Sequence, residues 1–340
     1  MLASSRPNLL PILAGLATFL FLLTVFTRST QPDTWPIRNL SKSTSTHSSQ
    51  SVQLRERLDY AEELWKQSVQ DRKLMTAESG KREFPDGYIY PYNLWDFTRP
   101  TFFCPYEIER VGSIGDGGKW VCGMSHYQRM APGPSRSTNP APEMIMYSFG
   151  VNDDSSFEAR MMERTNTLIW GYDYSVDGWA GDISDNQSTR AKFMKAAIGK
   201  QTTTESSPPY YSVQDLMKMN GHDYVDIVKM DIEGAEFDAL TSLVNHVEAR
   251  RNSTEEPVLP FGQLLVEIHI MTGSLPFGMP VTMHGFLDWW SALERLGLRP
   301  VFNEHNWIGD VVAKHPRYIE YTFINARHPK NKLLFEKMGS

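Results

Sequence analysis

From residue 144 onward the chain repeats one pattern, a short apolar run followed by a polar junction and then apolar positions three or four apart. The runs "MIMYSFG" (144–150), "TLIWGYD" (167–173), "VDIVKM" (225–230) and "QLLVEIHI" (263–270) are almost unbroken. A strand that is apolar on both sides is covered on both sides, as in a parallel sheet. "AKFMKAAIG" (191–199) reads as a further strand between the second and third of these. "SSFEARMMERT", "SVQDLMKMN", "GAEFDALTSLVNHVEAR" and "HGFLDWWSALERLGL" carry the helical period. Ala239, Leu243 and Val247 share one helix face. Ser155 and Glu158 have the spacing of a capping box, and the last helix is expected to close near Gly297. "RPVFNEHNW" and "YIEYTFIN" follow as two consecutive strands, expected to form an antiparallel hairpin on the sheet edge. Alternating strands and helices predict an α/β, Rossmann-like fold with a mostly parallel sheet.

The upstream third is patterned differently. "VQLRERLDYAEELWKQSVQDRKLM" places Leu54, Leu58, Ala61 and Trp65 on one helical stripe. This predicts an amphipathic helix within 52–83 that packs on its own domain. "GYIYPYNLWDFTRPTFFCP" reads as an irregular aromatic wrap, and "MAPGPSRSTNPAPE" as a loop. "ERVGSIGDGGKWVCG" predicts two short strands around a tight turn, with glycines at 112, 115, 117 and 118. Residues 27–51 include "SKSTSTHSSQS", a solvated Ser/Thr stem. The uncharged "LLPILAGLATFLFLLTVF" (9–26) is long enough for a transmembrane signal anchor behind a tail of residues 1–8. The globular domain then occupies 84–340.

Charge narrows the partners. The 34 Lys and Arg stand against 40 Asp and Glu, a net charge of −6 with no basic block. A nucleic-acid partner is therefore not expected. Arg6 precedes the anchor, and Arg28, Arg38 and Lys42 follow it, so the positive-inside count does not favour a cytosolic N-terminus. The short tail, the sequons at Asn39, Asn186 and Asn252, and an even pair of cysteines favour a lumenal domain in the Golgi or endoplasmic reticulum. Cys104 and Cys122 read equally as a disulfide or as two buried thiols.

In such sheets ligands bind beyond the carboxyl ends of the strands, near the point where strand order reverses. Gly150 ends the first strand and leads to a helix N-terminus able to receive an anionic group. Asp173 ends the second, where an acid receives ribose hydroxyls. Asp231 and Glu233 end the fourth; Glu267 and His269 lie at the end of the fifth. Without a glycine-rich pyrophosphate loop, this suits a nucleoside more than a dinucleotide.

"VDIVKMDIEGAEFDAL" resembles the DxxKxDxEGxE signature of the FkbM-type S-adenosylmethionine-dependent methyltransferases. "GDGGKWVC", "YSFGVNDDSSFE", "LLVEIHI" and "EHNW" resemble segments of a eukaryotic methyltransferase-like branch, in the same order. The likeness spans about residues 84–326. It implies a class I methyltransferase fold of seven strands with the last antiparallel, and S-adenosylmethionine as cofactor. It implies donor contacts from Phe149, Gly150, Asn152, Asp173 and Asp231. It implies acceptor-side chemistry by Asp231, Glu267 and His269.

The expected reaction is O-methylation of a small-molecule or glycan hydroxyl, with Asp231 or His269 as the base. Direct acid–base chemistry is favoured over a metal; the metal candidates are Asp231, Glu233 and His269, with Glu267 and His305 behind them. Glu236 is expected only to complement the dipole of its helix, and Asp231 has a helix cap as its simpler role. The rival readings are a metal-dependent glycosyltransferase, suggested by the anchor and stem, and a catalytically silent binding module. Oligomeric state has no signature in the chain.

Overall fold

The computed structural model describes residues 48–79, 94–130, 144–250, 256–270, 278–308, 311 and 317–334. Ser49–Ser340 form one unit, distinct from Met1–Ser48. The expected anchor, most of the stem, the first part of the aromatic wrap, the 131–143 loop, Asn39 and Asn252 lie outside the described residues. Among those described, no helix is long and apolar enough to cross a membrane.

The four apolar runs become β3 (Met144–Phe149), β4 (Thr167–Asp173), β8 (Val225–Met230) and β9 (Phe261–His269). Every residue of β8 and β9 is buried. With β5 (Ala191–Lys195), β10 (Leu298–His305) and β11 (Tyr318–Asn325) they form a seven-stranded sheet, ordered β10-β11-β9-β8-β3-β4-β5. The neighbours from β9 to β5 are parallel, while β11 is antiparallel to both β9 and β10. The expected antiparallel hairpin on the sheet edge is present: β10 and β11 pair antiparallel, with β11 on the inside next to β9 and β10 outermost. β11 alternates Tyr321 and Phe323 on one face with Glu320 and Thr322 on the other, and inserting it buries its row of apolar residues. Strand order reverses between β3 and β8, so their carboxyl ends flank the expected ligand crevice.

Period two sorts the side chains onto two faces. Tyr147 and Phe149 of β3, Val228 and Met230 of β8, and Leu264, Val266 and Ile268 of β9 belong to one apolar core. Met144, Met146, Ile227 and Leu265 belong to the other. On the first face pack α5 (Val213–Asn220), α6 (Glu236–Ala249) and α7 (Met283–Arg295). On the second pack α3 (Ser156–Arg164), α2 (Met124–Met130) and the hairpin of β1 (Ile108–Val111) with β2 (Lys119–Cys122). Cys122 of β2 is disulfide-bonded to Cys104. Short β6 (Ala197–Ile198) and β7 (Tyr210–Tyr211) pair beyond β5, and a single turn, α4 (Asp185–Ser188), precedes it.

The amphipathic segment is α1 (Ser48–Ser79). Its Ala61, Leu58 and Trp65 pack on the second core. Arg72 pairs with Glu294 and Glu62 with Arg299, so the helix is tied to α7 and β10. One local expectation fails. Ser155 is the N-cap of α3 but makes no side-chain cap. Its hydroxyl accepts from the Ala180 amide, and Glu158 turns inward to Ser148 and Lys229.

Candidate active site

Gln263 and Leu265 of β9 and Glu320 and Thr322 of β11 lie on the side of the sheet that the β1–β2 hairpin covers. The hairpin docks there through paired hydrogen bonds between Gln263 and the Cys122 backbone, and through the Thr322 hydroxyl to the Trp120 carbonyl. That docking carries Lys119 to the strand ends. Its ammonium lies 2.8 Å from Asp231 Oδ2 and pairs with Glu320. Burial works against this charge, but Glu320, Asp231 and Glu267 outweigh it and hold Lys119 firmly protonated. For Asp231 burial likewise opposes the charge, and Lys119, then His269 and Lys229, outweigh it to hold the carboxyl at about 2. Asp231 is therefore an ionised, oriented acceptor of hydrogen bonds and a weak base, with an ion-pair role beyond any helix cap.

Glu267 and His269 lie beside it. Burial, then the Asp231 and Glu320 charges, push Glu267 up to about 8. Its Oε1 accepts from Asn306 at 2.9 Å. Burial disfavours a charged His269, but Glu236, Glu267 and Asp231 outweigh it and raise the imidazole to about 10. His269 Nδ1 lies 2.8 Å from Glu236 Oε1. The expectation that Glu236 serves only the helix dipole is thereby corrected. Glu236 is fully buried, accepts the Ile232 amide at 3.1 Å and orients the histidine. His269 Nε2 faces Asp231, Glu233 and Glu267.

The loop after β3 is held largely by backbone contacts. Gly150 has φ +77°, and a Cβ there would stand 1.7 Å from the Asp231 carbonyl oxygen. The glycine lets the β3 and β8 ends cross, with the Asp231 amide donating to the Phe149 carbonyl at 2.9 Å. Lys229 donates to the Gly150 carbonyl at 2.7 Å. Asp173 Oδ2 accepts the Val151 and Asn152 amides at 2.7 and 2.9 Å, and Oδ1 accepts the Ser175 amide and hydroxyl at 2.6 Å. Burial pushes Asp173 up, but these four donors prevail and hold it below the usual carboxylate range. It clamps the loop after β3 to the end of β4. Asn152 is exposed at φ +51° on that loop. Phe149 is fully buried between Tyr147 and Tyr172, so its side chain serves the core.

The structure thus brings Asp231, Glu233, Glu267 and His269 together, and sets Asp173 at the end of β4 against Gly150, Val151 and Asn152 of the loop after β3. His305 stands apart at the end of β10, its ring against Trp307. Lys119 and Glu320 escaped the sequence reading, and Glu236 was undervalued there. Lys119 lies in "GDGGKWVC", and the signal was a lysine inside a run whose neighbours Val121 and Cys122 are apolar. Gly117 also has a tertiary reason: a Cβ there would meet Asp154 Oδ2 at 2.0 Å. Asp154 accepts from the Ser113 hydroxyl at 2.8 Å and so ties the β1–β2 loop to the loop after β3.

A family model described as a methyltransferase domain matches residues 57–310. No curated protein sequence matches the chain. Among solved structures, a Methanococcus jannaschii fibrillarin pre-rRNA processing protein is similar at 11% identity and a TM-score of 0.31, over 70% of this chain and 86% of that one. A Burkholderia thailandensis 1,6-didemethyltoxoflavin-N1-methyltransferase with bound S-adenosylhomocysteine has 11% identity, a TM-score of 0.31, and coverage of 54% and 71%. A TehB-like SAM-dependent methyltransferase from Corynebacterium glutamicum has 10% identity, a TM-score of 0.28, and coverage of 59% and 86%. Likeness at this level is slight, and it is the strand order with its inserted antiparallel β11 that carries the fold. A family match across most of the chain, on a sheet of this order, settles what the molecule is: it belongs to the family of that methyltransferase domain.

Proposed function

We propose that the chain methylates a hydroxyl acceptor, with the acid–histidine cluster at the ends of β8 and β9 as the acceptor site. The observation that carries this reading is the convergence of Asp231, Glu267 and His269 next to the crossing of Gly150 and Asp231. A hydroxyl is a poor nucleophile until its proton is removed, and acids at this place supply orientation and a proton acceptor. In the reaction the acceptor oxygen bonds to the methyl carbon while the sulfur–methyl bond breaks. The bonding pair returns to sulfur, leaving a neutral thioether. Asp231, held ionised by Lys119, orients the hydroxyl. Glu267, with a proton affinity near neutrality, receives its proton.

A glycan hydroxyl in the secretory pathway is the acceptor class we favour. The Cys104–Cys122 disulfide supports an oxidising compartment, and Asn186 of a sequon is exposed. Residues 9–26 would anchor the chain with its catalytic domain in the Golgi or endoplasmic reticulum lumen. The FkbM-type likeness, resting on the "KMDIEGAE" core, supports oxygen as the atom methylated. The glycosyltransferase alternative loses its basis, since its acidic motif belongs here to a methyltransferase sheet.

The test is calorimetric binding of S-adenosylhomocysteine to the full chain, followed by transfer of labelled methyl to glycans and to matched amines. Binding with label on hydroxyls supports the proposal. Label on amines alone overturns O-methylation, and donor binding with no transfer to any acceptor class points to a silent module. Unchanged methylated glycans in cells lacking the protein would remove the glycan assignment.

A further inference from the structure

We infer that Asp231, Glu233 and His269 bind one divalent cation of the manganese or magnesium class, with Glu267 beside them. His269 Nε2 lies 3.6 Å from Glu233 Oε2, 3.7 Å from Asp231 Oδ1 and 3.9 Å from Glu267 Oε2. All three separations exceed hydrogen-bond length. They approach those of ligands sharing one ion, since two groups about 2.1–2.2 Å from a cation lie about 3.0–3.8 Å from each other. The ligand atoms of Asp231, Glu233 and His269 all lie within 4.8 Å of one another.

The histidine supplies an observation independent of the acids. It is only 4% exposed, and Nε2 makes no hydrogen bond among the described residues. Its Nδ1 is held by the buried Glu236 at 2.8 Å, which turns Nε2 toward the three carboxylates. A carboxylate that orients a histidine so that its other nitrogen meets a metal is the usual outer support of such a ligand. Against burial, Glu236, Glu267 and Asp231 favour a protonated imidazole, so a cation at Nε2 displaces that proton.

The neighbouring acids set the contrast. Asp231, Glu267 and Glu320 form a second group of possible ligands. There the Lys119 ammonium already serves as the cation, between Asp231 Oδ2 and Glu320. Asp231 therefore spends one oxygen on lysine and turns the other to His269. The side chain of Glu233 is 73% exposed, so an ion reaches the site from solvent and keeps positions open for water or acceptor. Carboxylates with a single imidazole suit manganese or magnesium better than a soft-ligand metal. The role of the ion rests on the O-methylation reading above: a bound acceptor hydroxyl gives up its proton more readily. The binding itself does not depend on that reading.

The test uses the full chain, stripped with chelator and titrated with manganese(II) alone, reading free ion by electron paramagnetic resonance. We expect one ion per chain. We expect at least tenfold weaker binding in the exposed Glu233→Gln variant and no change in Asp177→Asn, an exposed acid paired with Lys195 away from the cluster. S-adenosylhomocysteine binding is measured on the same samples. Donor binding without manganese binding overturns the cation site and leaves the methyltransferase intact. Manganese binding equal in wild type and Glu233→Gln also overturns it, as surface binding. Manganese binding lost in Glu233→Gln, in a chain that methylates only amines, keeps the site and removes the acceptor assignment.

Discussion

Lys119 Nζ and Asp231 Oδ2 lie 2.8 Å apart although 112 residues separate them in the chain. The lysine arrives on a hairpin outside the main sheet, and its partner ends a central strand. Removing one member of a buried pair leaves the other charge uncompensated. Lys119→Met is expected to cost about 3–5 kcal/mol of stability. Adding Glu320→Gln should restore part of it. Thermal melts of the single and double variants check this; equal melting points for wild type and Lys119→Met would contradict the assignment.

Gly150→Ala places a methyl group against the Asp231 carbonyl and asks alanine to hold φ +77°. The expected cost is about 3 kcal/mol. Donor binding should be lost even where the variant folds, because the β3 and β8 ends must part. Calorimetry with S-adenosylhomocysteine, beside circular dichroism, reads both effects.

Asp173→Asn keeps one acceptor oxygen but turns an amide toward donors that now meet a carboxylate. At least a tenfold loss of donor affinity is expected, about 1.4 kcal/mol. A donor affinity equal to wild type would show that the loop holds its shape without this clamp.

The Cys104–Cys122 disulfide closes a separation of 18 residues at the edge of the hairpin that bears Lys119. Replacing both cysteines with serine should cost about 3 kcal/mol. Activity should fall with it, since β2 then holds Lys119 less firmly. A stopped-time methylation assay with and without reductant separates this from a disulfide that matters to stability alone.

His328 gives the fold a dependence on pH remote from the chemistry. Its ring stacks on Tyr224 at 4.5 Å and its Nδ1 accepts the Lys330 amide at 3.1 Å. Burial, then Lys330, depress it from 6.5 to about 4. The unfolded chain therefore binds the proton first. The stability that His328 contributes is whole above about 6.5 and is lost as pH falls toward 4, at most about 3 kcal/mol. Denaturant melts across that range should show the decline, and His328→Gln should flatten it.

Much of the architecture was written into local pattern. "TLIWGYD", "VDIVKM" and "YIEYTFIN" coincide with β4, β8 and β11, because an apolar run that size has few other conformations once buried. The acids at the strand ends were legible for the same reason: a strand end is a place that a linear pattern marks. The edge hairpin was legible, but not which of its two strands pairs with β9, since two successive strands look alike whichever lies inside. Nor was the partner of any buried charge. Glu236 looked like a helix-terminal acid because its sequence neighbours are helical, and only packing of α6 against β9 sets it on His269. Lys119 carried no local sign of its role, because the acids it pairs with, Asp231 and Glu320, are remote in sequence. The chain by itself determined the strands, the helices and the chemical types at the crevice. The tertiary structure alone decided which charges face one another, because electrostatic partnership depends on distance through space, and sequence separation carries no information about it.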